Sequence, residues 1–275
     1  VLKLKYRIYP IFVTVSLSGV ISLFWFGPCL GRSSGISLTA KSALVIDKKN
    51  NRIVYAKNHQ LKLPMASTTK VMTALLALEN LGLTQATIIS YHASQTEPSK
   101  IYLRQKERWR SLDLLYALLM SSANDAAVSL AEEISGKESD FADLMNKKAR
   151  ELRMKNSRFA NPCGFSHASH FSTCFDLARL WKKATAYPVF LEIMRTKNKT
   201  IVSEAGRKIY LRNHNRLLWN YPKLFIGKTG YTLKAKHCFV GELILGKRNF
   251  VIVILKSRKP WEDLKKIADF CQRIK

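Results

Sequence analysis

PMASTTKVMTALLALE, residues 64–79, starts a helix with the wrong charge at its positive end. Val71, Ala74, Leu75 and Leu78 recur at helical spacing, Pro64 and Ser67 mark the start, and Gly82 closes the pattern. Lys70 then lies in the first turn, where the helix dipole disfavours a cation by about 0.3–1 kcal/mol. Extending the apolar stripe backwards in steps of four puts Leu78, Ala74 and Lys70 in one row and Leu75, Val71 and Ser67 in the next. A hydroxyl and an amine therefore face inward as neighbours. A buried amine in such a place gives up its proton readily, because desolvation and the dipole both oppose the ammonium form. It can then serve as the base for Ser67 as a nucleophile, and the Ser67 N–H at the helix start is available to a developing oxyanion. A plainer arrangement also fits, with Ser67 capping the helix and Lys70 reaching solvent.

Outward from this helix, Ala43–Asp47 and Arg52–Tyr55 flank the turn Lys48–Asn51 and read as a β-hairpin. Cys238–Leu245 and Asn249–Leu255, parted by Gly246, Lys247 and Arg248, form a second strand pair near the other end. Between them lies mostly helix. Leu112–Met120 is apolar nearly all round and predicts a helix buried on every side, Ala126–Ile134 follows a polar break, and Glu138–Met154 is more amphipathic. Strands at both ends of a helical middle predict an α+β fold: an antiparallel sheet flanked by helices, with a mainly helical subregion, completed by the end of the chain. Trp261, Leu264, Ile267, Cys271 and Ile274 form a final helical stripe, suited to packing on the sheet or to lying on a membrane surface.

With 275 residues, 47% of them hydrophobic, the chain can build a proper core and is not a disordered sequence. Its 46 Lys and Arg against 19 Asp and Glu give +27, a field that favours anionic neighbours. The basic residues are dispersed, without a long Lys/Arg block or zinc-finger frame, which argues against nucleic acid and for anionic lipid or acidic envelope polymer. VLKLKYR at residues 1–7 is basic, no charge follows from Ile8 to Gly31, and Ile11–Phe26 is densely apolar. Residues 1–31 therefore read as an export signal or a retained N-terminal anchor, 32–41 as a linker, and 42–275 as the catalytic domain. Export places that domain in the periplasm or cell envelope. Cys29 follows Gly27-Pro28, a poor lipid-attachment box.

Two more elements carry chemistry. Ser121-Ser122-Ala123-Asn124-Asp125 interrupts two apolar helices and sets a hydroxyl and a carboxamide in dry surroundings, unless Asp125 only caps the next helix and Ser122 and Asn124 only serve the turn. Leu224–Thr232, LFIGKTGYT, reads as a strand in which Gly227 and Gly230 signal close approach of another backbone. Lys228 and Thr229 displayed there suit a substrate carboxylate, with a peptide along the strand edge, or a lysine that merely protects an edge strand.

S-x-x-K, S-x-N and K-T-G occur once each and in that order, and together they are far more specific than any one alone. On these motifs the sequence resembles the penicillin-recognising serine enzymes, most closely the low-molecular-mass D-Ala-D-Ala carboxypeptidases. FANPCG at Phe159–Gly164 and NHNRLLW at Asn213–Trp219 are similar too, and the likeness spans about Ser42 to Ile274. It implies a serine β-lactamase/transpeptidase-like fold and an exported D,D-carboxypeptidase that removes the terminal D-Ala from peptidoglycan stem peptides. It also implies acylation by β-lactams, no cofactor or metal, and a monomer. Ser67 would attack and carry the acyl group, Lys70 would take its proton, and Ser122 would relay a proton to the leaving amine with Lys228 nearby. Asn124 would hold the acyl-side amide, Lys228 and Thr229 the terminal carboxylate, with Gly230 alongside, and the N–H groups of Ser67 and Tyr231 the oxyanion.

Two residues depart from the family pattern: Arg153 and Lys236 stand where relatives usually have glycine, so the helix cap and the strand beside the site are expected to differ. Any tether is expected in the N-terminal segment, because only 47 residues follow Lys228. Cys163, His167, His170 and Cys174 suggest a rival zinc site, a Cys163–Cys174 disulfide, or unpaired structural thiols. A D,D-endopeptidase with the same site is the nearest alternative activity, and a catalytically silent binder of wall peptide the nearest from another class. A class A β-lactamase is disfavoured, since Arg150–Asn161 contains no E-x-x-x-N element.

Overall fold

A computed structural model describes residues 36–221 and 225–274. The signal or anchor segment, residues 1–31, lies outside the described residues. Strands β1 (Ser42–Asp47) and β2 (Ile53–Lys57) form the expected hairpin. A 3-10 turn, Ala66–Thr69, leads into α1 (Lys70–Asn80), followed by β3 (Ala86–Ile88), α2 (Tyr91–Gln95) and β4 (Arg108–Arg110). The helical middle comprises α3 (Ser111–Met120), α4 (Asn124–Ser135), α5 (Glu138–Glu151), α6 (Cys174–Ala184) and α7 (Pro188–Arg195). A small β5–β6 hairpin (Asn198–Val202 and Lys208–Arg212) and the short α8 (Arg216–Asn220) precede three long strands. These are β7 (Phe225–Thr232), β8 (Lys236–Leu245) and β9 (Arg248–Ser257), and α9 (Pro260–Arg273) ends the fold.

The main sheet is antiparallel, in the order β2-β1-β9-β8-β7. Because β9 pairs with β1, the late strands are stitched to the first hairpin and the sheet is continuous only once β9 is in place. Successive residues of a strand face opposite sides. Val45, Phe250, Ile252 and Ile254 accordingly pack under α9 with Leu264, Ile267 and Phe270, while Leu44, Ile46, Val251 and Val253 join the larger core with α1, α3, α4 and α6. Both faces are covered, which is why these strands are nearly continuous apolar runs rather than alternating ones. The α9 stripe is spent on the sheet, so the membrane-surface alternative for this helix is overturned. No helix among the described residues is long and apolar enough to cross a membrane.

Arg153 and Lys236 both take up glycine-like backbone conformations. Arg153 itself takes a left-handed φ of 56° and Met154 N–H reaches back to Ala149 O (2.8 Å) while Arg153 N–H reaches Arg150 O (2.9 Å), a complete glycine-type helix cap without glycine. Lys236 takes φ 53°, and the β7–β8 register runs unbroken from Phe225↔Leu243 to Thr232↔Lys236. At Arg153 the cap keeps the glycine-type form, whereas next to Lys236 the β8–β9 pairing shifts register between His237 and Phe239. Each is kept at a cost of about 1–2 kcal/mol for a side chain in that region.

Candidate active site

Three seams meet at one point: the 3-10 turn before α1, the α3–α4 elbow, and β7, which is an edge strand of the main sheet. The turn's tighter winding matters, because residues three apart eclipse in a 3-10 helix. Ser67 therefore stands over Lys70, with Nζ to Oγ at 3.1 Å. Neither side chain caps the helix, and Lys70 is wholly buried, which removes the capping and snorkelling alternatives.

Lys70 Nζ also donates to Asn124 Oδ1 (2.6 Å) and to the Cys163 carbonyl (2.7 Å). Asn124 Nδ2 donates to Glu97 O (2.8 Å), which fixes the amide orientation. A neutral amine has two hydrogens and one lone pair, so with both hydrogens directed at these carbonyl oxygens the lone pair faces Ser67. Desolvation pushes Lys70 down to about 8, with Cys163 and Asp125 pulling partly the other way.

The wall behind Lys70 is the stretch FANPCG. Asn161 Oδ1 accepts from the N–H groups of Cys163 (3.2 Å), Gly164 (2.8 Å) and Phe165 (3.0 Å), and the Pro162 carbonyl accepts from Thr73 Oγ1 (2.7 Å). Gly164 has φ +92°, and a Cβ there would lie 2.1 Å from the Ala66 carbonyl oxygen. Ala66 itself is left-handed at φ 47°, immediately before Ser67, and Ser122 is left-handed at φ 58°. Strain of this kind persists only where the surroundings over-determine it.

On the facing side, Lys228 is buried and donates to Ser122 Oγ (3.0 Å) and to Thr229 O (2.8 Å). Burial holds its ammonium form well below the usual lysine range, and Lys70 adds like-charge repulsion. It is therefore no surface guard of an edge strand. Thr229 is half-buried, Gly230 buried and Tyr231 exposed along the same edge. A Cβ on Gly230 would stand 2.7 Å from Ser67 N, so this glycine is required by the approach of the turn that carries Ser67. Asp125 does not cap α4 from the N-cap position. It binds the N–H groups of Ile101 (3.1 Å), Leu103 (3.0 Å) and Ala126 (3.0 Å), tying the 101–103 loop to the elbow.

The rival metal cluster comes apart. His167 is exposed and accepts from Ser169 N (3.1 Å), while Cys163 and Cys174 are free buried thiols with different neighbours, Asn124 O and Ser42 Oγ. The disulfide alternative is overturned, and burial pushes both thiols up to about 12. His170 has a different position altogether. Its Nδ1 accepts from Ala160 N–H (3.0 Å), so Nε2 carries the hydrogen and donates to Thr69 Oγ1 (2.7 Å), which in turn donates to Ala66 O (2.8 Å). This chain holds the strained residue before Ser67. The sequence reading missed this link, and also Asn161 and Gly164 as individual actors; the signals were a histidine at a position where the resembled family often has one, a Thr two residues after the Ser, and an Asn-Pro-x-Gly turn.

The model of the D-alanyl-D-alanine carboxypeptidase family, peptidase S11, matches residues 31–259. The chain is 34% identical over 247 residues to D-alanyl-D-alanine carboxypeptidase DacF of Bacillus subtilis, covering 87% of this chain and 64% of that protein. It is also 34% identical over 228 residues to a D-alanyl-D-alanine endopeptidase of Pseudomonas aeruginosa, covering 80% of this chain and 72% of that one. Among solved structures, a D-alanyl-D-alanine carboxypeptidase of Mycobacterium tuberculosis superposes with a TM-score of 0.81 at 27% identity, over 88% of this chain and 96% of that one. The chain thus spans just under two thirds of the DacF length. With the matched model, the shared fold and the three motifs in one site, this chain belongs to the D-alanyl-D-alanine carboxypeptidase family.

Proposed function

We propose that this protein is a serine D,D-carboxypeptidase of the cell envelope that cleaves the terminal D-Ala from peptidoglycan stem peptides and is acylated by β-lactams. The observation that carries the reading is the pairing of two hydroxyl–amine couples in one dry site: Ser67 with Lys70 and Ser122 with Lys228. Ser67 Oγ attacks the carbonyl between two D-alanines as Lys70 Nζ takes its proton. The N–H groups of Ser67 and Tyr231 receive the oxyanion. Ser122, held by the hydrogen bond from Lys228, relays the proton that Lys70 took from Ser67 to the departing D-alanine amine, which leaves Lys70 neutral again. Water then attacks the acyl carbon as Lys70 takes its proton and returns it to Ser67 Oγ, which frees the shortened peptide and regenerates the hydroxyl. Asn124 aims Lys70 and meets the acyl-side amide by exchanging its bond to Glu97. A stem peptide lies along the open edge of β7, and its terminal carboxylate sets a negative charge beside Lys228 and Thr229.

Fluorescent penicillin labels the parent protein and not Ser67→Ala; labelling of both, or of neither, refutes the mechanism. The endopeptidase relative of equal identity makes cross-bridge cleavage the second reading. Product analysis separates them: a carboxypeptidase releases free D-Ala from monomeric stem peptides, whereas an endopeptidase cuts cross-linked dimers into monomers.

A further inference from the structure

Away from the active site, a cleft of about 620 Å³ opens at one end of the main sheet. Six cations line it: Lys41, Lys57, Lys236, Lys256, Arg258 and Lys266. Among the described residues no carboxylate lines it, and none of the six is in an ion pair. The nearest acids are spent elsewhere. Asp263 is fully buried under Thr39 N–H, Thr39 Oγ1, Ala40 N–H and Ser257 Oγ, and Glu262 pairs with Lys259 at 3.2 Å. Lys236 and Lys256 occupy this rim with left-handed φ values of 53° and 54°, so the chain carries lysine at two places where glycine would be at ease.

The incoming chain is sewn into the same cleft. Lys57 Nζ donates to Leu38 O (2.8 Å) and Lys266 Nζ to Ser37 O (3.0 Å). Ile36 follows the last residue of the apolar run, Phe26, by only ten positions, at most roughly 35 Å of extended chain. Whatever bilayer takes up residues 11–26 therefore lies within reach of this end of the sheet. We propose that the cleft docks on the phosphate headgroups of an anionic bilayer, holding the catalytic domain against the membrane from which its chain arrives. Lys236 faces Thr232 across the β7–β8 turn, so the docked end is continuous with the strand that carries Lys228 and Thr229.

The test distributes the full-length chain between differently dyed phosphatidylcholine vesicles and vesicles containing phosphatidylglycerol in one mixture at low salt. The apolar N-terminal segment contributes to both, so the ratio isolates the headgroup term. Each cation near an anionic surface is worth roughly fivefold in partitioning. Lys41→Gln, Lys256→Gln and Arg258→Gln combined should cut the preference for anionic vesicles on the order of 100-fold, and Arg258→Gln alone roughly fivefold if the triple variant proves unstable. The matched control, Lys147→Gln, Lys155→Gln and Lys208→Gln, should stay within a few-fold of the parent. Equal losses in both triples would assign the effect to net charge and overturn the proposal. So would an unchanged preference in the cleft variant, or abolition of the preference by millimolar inorganic phosphate, which would make the cleft a site for a soluble anion. Penicillin labelling of Ser67 in the cleft variant is expected to match the parent, so this inference and the catalytic reading fail separately.

Discussion

Gly230→Ala is the sharpest probe of how the site is assembled. Gly230 lies in regular strand without a positive φ, so alanine is allowed there by the backbone and the substitution tests contact alone. The added Cβ would sit 2.7 Å from Ser67 N and 3.1 Å from both Ala66 Cβ and Thr68 N, whereas ordinary contact begins near 3.4 Å. The shortfall, roughly 0.7 Å, is against main chain and cannot be relieved by a side-chain rotation. Either β7 or the turn that carries Ser67 must move, and both carry the N–H groups proposed to receive the oxyanion. A misplacement of about 1 Å in such a site costs about 10²-fold, so acylation should slow by roughly 30- to 100-fold. Overpacking costs about 1–3 kcal/mol, equivalent to a fall in melting temperature of roughly 2–10 °C for a domain of this size. Stopped-flow acylation by a fluorescent β-lactam and a thermal melt read the two effects. Gly82→Ala, whose nearest neighbour would be Gln85 Cβ at 3.7 Å, is the control and should change acylation little. Acylation of Gly230→Ala at the parent rate with an unshifted melt would refute the claim that this glycine sets the distance between strand and nucleophile.

Lys70 is held at about 8 by burial, so its reactive neutral form declines below that value and the acylation rate should fall close to tenfold per pH unit on the acid side; a flat profile between about pH 6 and 8 would contradict its role as base. His170 is held at about 4 by burial against 6.5 when unfolded, so the unfolded chain binds the extra proton first. Its contribution is complete above about 6.5 and is lost as pH falls toward 4, up to about 3 kcal/mol. His170→Gln should flatten that part of a urea-unfolding series. His170→Ala strands the Ala160 N–H and frees Thr69 Oγ1, and should destabilise by about 1–3 kcal/mol while slowing acylation; unchanged acylation would show that the Thr69–Ala66 link does not position Ser67. Arg153→Gly relieves a left-handed side chain but loosens the unfolded chain, for a net gain of about 0.5–1 kcal/mol in denaturant unfolding.

The sequence alone determined the hairpin at Ala43–Tyr55, the strands at Cys238–Leu255, the apolar α3 and the three motifs, because each is a local pattern whose period or spacing survives without its surroundings. It also paired Ser67 with Lys70, since three residues along a helical turn are neighbours in any fold. It mistook the start of α1, because one turn is too short for a period of 3.0 to be told from one of 3.6 in the sequence. Only the tertiary structure decided that Lys70 is wholly buried between Asn124 and the Cys163 carbonyl, that Cys163 and Cys174 stand apart, and that His170 braces Ala66 rather than binding a metal. Those outcomes depend on segments 54, 93 and 101 positions apart meeting through the packing of α1 against α4 and α6, and of α6 against the sheet. Burial, and with it the proton affinity of a lysine, is a property of what arrives from elsewhere in the chain.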